Sequence, residues 1–135
     1  MRKIFIAAFF IAASFTLAAA QEATAHTSAQ PAADDLPNLA QAPKEMNGIG
    51  RLDLRVVDQN GQPVEGAYAE LKSKRTDGFL CEAWGSTNAR GAIALPPIHM
   101  GELTLSVKAK GYKTQKLTVA RESLAEPVRV VLQKK

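Results

Sequence analysis

The sequence predicts an all-β protein, a single antiparallel β-sandwich of seven strands in Greek-key order. Three observations carry this expectation. Between Gly50 and Leu132 the chain falls into short runs that alternate apolar with polar residues, the period of a half-buried strand. Turn signals at Asn60-Gly61, Gly66, Gly91, Gly101 and Gly111 separate the runs at the interval of a sandwich. No segment after residue 20 holds a 3.6-residue apolar period long enough for a substantial helix.

The elements follow in order. In Arg51-Leu52-Asp53-Leu54-Arg55-Val56-Val57-Asp58, Leu52, Leu54 and Val56 share one face, and Arg51, Asp53 and Arg55 share the other, a pattern expected to face water. Asn60-Gly61 turns the chain, Pro63 fixes the exit and Gly66 relieves it. Ala67, Ala69 and Leu71 then point inward, with Tyr68, Glu70 and Lys72 outward. A charged loop spans Lys72 to Gly78. The next strand sets Phe79, Cys81 and Ala83 on one parity and Leu80, Glu82 and Trp84 on the other. Ile93, Leu95 and Ile98 resume the inward pattern, bent by Pro96-Pro97. Leu103, Leu105, Val107 and Ala109 form the cleanest inward stripe. Gly111 turns a hairpin whose return strand carries Leu117 and Val119. A turn or half-helix at Arg121 to Ala125 leads to a last strand with Val128, Val130 and Leu132 inward.

Three spaced motifs carry a resemblance. Asp58-x-x-Gly61-x-Pro63-Val64-x-Gly66-Ala67, Thr87-x-x-x-Gly91 and Gly111-Tyr112 resemble the carboxypeptidase regulatory-like domain, whose fold is transthyretin-like (prealbumin-like). The match runs over about residues 48 to 135. The resemblance implies the fold and an accessory or binding role. It implies no activity. In it Tyr112 is a structural residue that caps the end of the core.

The 135 residues fit one domain after two preceding segments. Residues 1–20 read as a signal peptide: Arg2 and Lys3, an apolar run from Ile4 to Leu17, then Ala18-Ala19-Ala20 for cleavage before Gln21. The run is short for a membrane span. The expected location is therefore periplasmic or secreted, with no stable membrane span. Residues 21–47, rich in Ala, Gln and Pro, read as a disordered acidic tether. Residues 48–135 are the domain. The tether carries Glu22, Asp34, Asp35 and Glu45 against Lys44, a net −3. The domain carries fourteen Lys/Arg against nine Asp/Glu, a net +5. This split has two readings: a solvated spacer, which is favoured, or a tail that folds back and masks a basic face.

The residues that suggest chemistry are few. Cys81 is the only cysteine, so no intramolecular disulfide forms. It reads as strand packing, or as a thiol reactive toward a partner. His99-Met100 is far short of a ligand set for a soft metal, and no cofactor is expected. Trp84 with Tyr68 and Tyr112 suggests either a sugar-stacking surface or rim packing. Lys108, Lys110, Lys113 and Lys116 surround the Gly111 turn. They read as edge-strand protection, as an anion site, or as both. With Lys74, Arg75 and Trp84 they make the candidate contact surface. Nucleic acid is not an expected partner, since no aromatic–basic interleaving occurs in a chain marked for export.

Catalysis is not expected. Transthyretin-like folds include 5-hydroxyisourate hydrolase, whose relatives carry an N-terminal histidine motif and a terminal Tyr-Arg-Gly-Ser. This domain opens Gly50-Arg51-Leu52-Asp53 and closes Arg129-Val130-Val131-Leu132-Gln133-Lys134-Lys135. No Ser-His-Asp set is expected in a domain with a single histidine, and the zinc ligands of metallocarboxypeptidases are missing. A collagen-adhesin-like module with a Lys–Asn isopeptide bond is a third reading. The first strand offers arginines and the last has no asparagine, so that bond is not expected. The sequence therefore points to a non-enzymatic module that binds or supports an envelope protein or polysaccharide, with a transthyretin-like hydrolase or an adhesin-like, carbohydrate-binding module as alternatives.

Overall fold

The computed structural model describes residues 35–135. The signal peptide and the first part of the tether lie outside these residues. From Leu36 onward the described chain is all-β apart from a 3-10 turn at Arg121–Ala125.

The strands are β1 (Ile49–Gly50), β2 (Asp53–Asp58), β3 (Tyr68–Lys74), β4 (Leu80–Ser86), β5 (Ala92–Ala94), β6 (Ile98–His99), β7 (Glu102–Lys108), β8 (Gln115–Val119) and β9 (Val128–Leu132). They form three open sheets, ordered β1-β6, β5-β2-β9 and β4-β3-β7-β8. The two larger sheets hold seven strands between them. Their inward residues share one core: Leu54 and Val56 of β2, Val130 and Leu132 of β9, Ala69 and Leu71 of β3, and Leu103, Leu105 and Val107 of β7. The arrangement is sandwich-like, and burial of this shared apolar surface is its main source of stability.

The turn motifs are explained by geometry. Asp58 Oδ1 accepts from the amides of Asn60 (2.8 Å) and Gln62 (2.9 Å), which closes a turn around Gly61. The Thr87 hydroxyl donates to the Val64 carbonyl at 2.6 Å and accepts from the Ala67 amide at 2.9 Å. One buried side chain thus ties the β2–β3 connection to the end of β4. Gly91 has φ +68°, and a Cβ there would run into the Val56 carbonyl. The position therefore admits only glycine without backbone movement.

Three expectations are corrected. The sheets are not wholly antiparallel: β2 and β9 pair in parallel, from Leu54↔Val128 to Asp58↔Leu132. The 3-10 turn after β8 lets this happen, because the chain crosses to the other sheet before β9 begins. Next, the outer face of β2 is not solvated. Every residue of β2 is buried, with Asp53 only 2% and Arg55 5% exposed. Finally, the chain seats against the body well before residue 48. The Leu39 amide donates to Asp53 Oδ2 (2.9 Å) and Arg55 Nη2 donates to the Pro37 carbonyl (3.2 Å). Asn38 Nδ2 donates to the Ala125 carbonyl at 3.0 Å, and Gln41 and Arg51 exchange both backbone hydrogen bonds. Residues 36–41 are a strap laid over the Asp53–Arg55 ion pair (2.8 Å). Strap and strand bury the pair together because each supplies the other's missing polar partners.

Candidate functional site

The outer face of the four-stranded sheet carries the largest share of chemically expressive side chains. Alternation along β3, β4, β7 and β8 sends every second residue outward, and the register sets them in rows. One row reads Trp84, Glu70, Ser106, Lys116 across β4, β3, β7 and β8. The row on one side reads Ser86, Tyr68, Lys108. On the other side it reads Glu82, Lys72, Thr104, Thr118. Adjacent strands lie about 4.8 Å apart, so the row from Trp84 to Lys116 spans roughly 14 Å.

The aromatics sit at one side of this grid. Trp84 is 59% exposed and Tyr68 39%. Tyr68 faces Ser86, so Trp84 is its diagonal neighbour on the adjacent strand, within reach of an aromatic side chain. Both rings stand on the outer face of the four-stranded sheet.

The lysines divide into two kinds. Lys72 Nζ lies 3.4 Å from Glu82 and 3.7 Å from Glu70. The hydrogen bond that Lys72 donates to Glu82, with the charges of Glu70 and Glu82, holds Lys72 above the ordinary lysine range. Its charge is already matched. Lys108 and Lys116 have no carboxylate within ion-pair distance among the described residues. Both line a trough of about 190 Å³ with Glu70, Lys72, Thr104 and Ser106. At its floor Ser106 is only 8% exposed, and its hydroxyl finds no hydrogen-bond partner among the described residues.

The other predicted contact residues lie elsewhere. Lys110 and Lys113 flank the Gly111 turn at the end of β7 and β8, outside the trough. Lys74 and Arg75 border a separate cleft of about 420 Å³ with Met46, Thr76, Gly101, Glu102 and Arg121. There Arg75 pairs with Asp77 at 2.8 Å and lies 5.9 Å from the centre of the Phe79 ring. The predicted surface is thus two surfaces, and Trp84, Lys108 and Lys116 belong to one of them.

Cys81 is half-buried on the edge strand β4, opposite Ser73. Met100 is fully buried in the core. His99 Nδ1 lies 3.2 Å from the Asn47 carbonyl. Among the described residues no three His, Cys, Asp or Glu side chains gather to hold a metal ion. No helix among them is long and apolar enough to cross a membrane. Ser106 and Thr104 were not singled out from sequence. The signal was the hairpin register, which puts Ser106 opposite Lys116 and beside Lys108.

Neither a protein-family model nor a curated protein sequence matches this chain. Among solved structures, 3-chlorocatechol 1,2-dioxygenase from Rhodococcus opacus 1CP is similar at a TM-score of 0.54 and 14% identity. The similarity covers 78% of this chain and 68% of that one. It is a likeness of fold.

Proposed function

We propose that this chain is an exported, non-enzymatic module of the carboxypeptidase regulatory-like type, a seven-stranded Greek-key sandwich that binds a polysaccharide of the cell envelope. The seven strands of the two larger sheets and the turn geometry at Asp58, Thr87 and Gly91 support the fold assignment. The observation that carries the function is the exposed Trp84–Tyr68 pair beside a row of hydrogen-bonding side chains on one flat sheet face. A pyranose ring has an apolar C–H face and a polar rim. Flat aromatic rings take the first, and Glu70, Ser106 and the lysines take the second.

The test is retardation of the protein in native gels cast with a panel of soluble polysaccharides. Retardation by at least one polymer that disappears in Trp84→Ala/Tyr68→Ala supports the reading. Mobility unchanged across the panel overturns it.

A protein partner is the second reading. Phe79 (60% exposed) and Leu80 (63%) stand at the start of the edge strand β4, where an added strand would find both apolar contacts and unpaired backbone groups.

A further inference from the structure

The trough beside the aromatic pair is built for one negative charge. Its rim carries Lys108 and Lys116 from adjacent strands, with no carboxylate within ion-pair distance among the described residues. Its floor carries the buried Ser106 hydroxyl, which has lost water without gaining a partner there. Burial without a hydrogen bond is unfavourable, and a ligand oxygen at that spot removes the cost.

Charge decides the class of ligand. The lining residues Lys72, Lys108 and Lys116 oppose one carboxylate, Glu70. Glu82 adjoins and draws Lys72 to its side. The group as a whole therefore has a surplus of one positive charge. A phosphate monoester would bring up to two negative charges close to Glu70, and a neutral sugar would leave both free lysines unmatched. A carboxylate brings one charge and two acceptor oxygens.

We propose that Lys108, Lys116 and Ser106 form an anion subsite for the carboxylate of a uronic acid residue, in an acidic polysaccharide whose neighbouring ring stacks on Trp84 and Tyr68. The lysines donate to the carboxylate oxygens, and the Ser106 hydroxyl turns to donate to one of them. Glu70, held by Lys72 between Trp84 and Ser106, accepts from a sugar hydroxyl along the path between the two points. This inference rests on the glycan-binding reading above and adds the charge of the glycan.

The experiment is calorimetric titration of the full secreted chain with uronic acid hexasaccharides of the galacturonate, mannuronate and glucuronate series. Each is paired with its methyl ester, which keeps the sugar and removes the charge. The expected result is that at least one acid binds about tenfold more tightly than its ester, since two solvent-exposed lysine contacts, each worth a few-fold, act together. Lys108→Gln/Lys116→Gln should abolish the difference between acid and ester. Ser106→Ala should reduce it severalfold without unfolding the chain, because the exchange removes only an unpartnered hydroxyl. Trp84→Ala should weaken acid and ester alike. Equal binding of acid and ester, lost in Trp84→Ala, overturns the anion subsite and leaves the glycan reading standing. Absence of binding to every acid and ester overturns both. Binding to anionic phosphatidylglycerol vesicles that depends on Lys108 and Lys116, with no binding of the hexasaccharides, also overturns the proposal.

Discussion

Replacing Asp53 by alanine removes the strap's main polar anchor, and its cost follows from the geometry. The carboxylate is 2% exposed and accepts from Arg55 at 2.8 Å and from the Leu39 amide at 2.9 Å. Without it, the Arg55 guanidinium keeps its contact with the Pro37 carbonyl and loses its 2.8 Å ion pair with Asp53, both side chains of which are buried. Removing one partner of a buried pair costs about 3–5 kcal/mol. The orphaned Leu39 amide adds about 1 kcal/mol unless the strap lifts to hydrate it. For a domain of this size the loss is a fall in Tm on the order of 15 °C. Differential scanning calorimetry of Asp53→Ala and of Asp53→Leu/Arg55→Met measures it. The double variant should recover most of the loss, because two apolar side chains of similar volume need no partner under the strap. A Tm for Asp53→Ala within about 3 °C of the parent, below 1 kcal/mol on the same scale, would refute the reasoning. It would mean that the pair is hydrated and the strap unseated.

Three further outcomes are expected. Gly91→Ala combines a left-handed φ with a collision at the Val56 carbonyl, and should cost about 2–4 kcal/mol in urea melts, whereas Gly61→Ala, with open space around it, should cost about 1 kcal/mol. Leu124→Ala empties a fully buried position in the 3-10 turn and should lose about 2–5 kcal/mol in the same assay. The raised pKa of Lys72 makes its ion pairs stabilising below the unfolded lysine value of 10.5, and that contribution is lost as pH rises through the still higher folded value. The Tm difference between the parent and Lys72→Met should therefore be constant from pH 6 to 9, shrink only above the ordinary lysine range, and shrink at every pH in high salt because the group is exposed.

Much of the fold is legible in the alternation itself. Ala69 and Leu71, Leu103, Leu105 and Val107, and Val130 and Leu132 are inward, as their parity predicts. The outer face of β2 was not legible. Arg51, Asp53 and Arg55 have the pattern of a solvated face, and what buries two of them lies 14 to 18 residues earlier in the chain. No local rule reaches that far. Phe79 shares the parity of Cys81 and Ala83 but falls just before β4 begins, and its ring is 60% exposed. The candidate site was half legible. Trp84, Lys108 and Lys116 stand out as residue types, but their union with Ser106 depends on three strand registers at once. The same registers set Lys74 and Arg75 apart from them.

The two outer faces have different fates, and the strap is the reason. On the three-stranded sheet the charged pair is satisfied internally and closed over by residues 36–41. On the four-stranded sheet the described chain leaves two aromatic rings, two lysines and one hydroxyl without internal use. Residues 36–41 therefore lie on the sheet that does not carry Lys108 and Lys116. A chain starting at Ala42 separates the two roles. It should melt lower than the full chain by about 1–2 kcal/mol, since both charges regain water when the strap is gone and only its hydrogen bonds and contacts are lost. Its affinity for a uronic acid hexasaccharide should match that of the full chain within about twofold, because nothing in the trough touches the strap. A clear gain in affinity on removing the segment would mean that its acidic residues do compete for Lys108 and Lys116, and that the strap has a second seat on the opposite face.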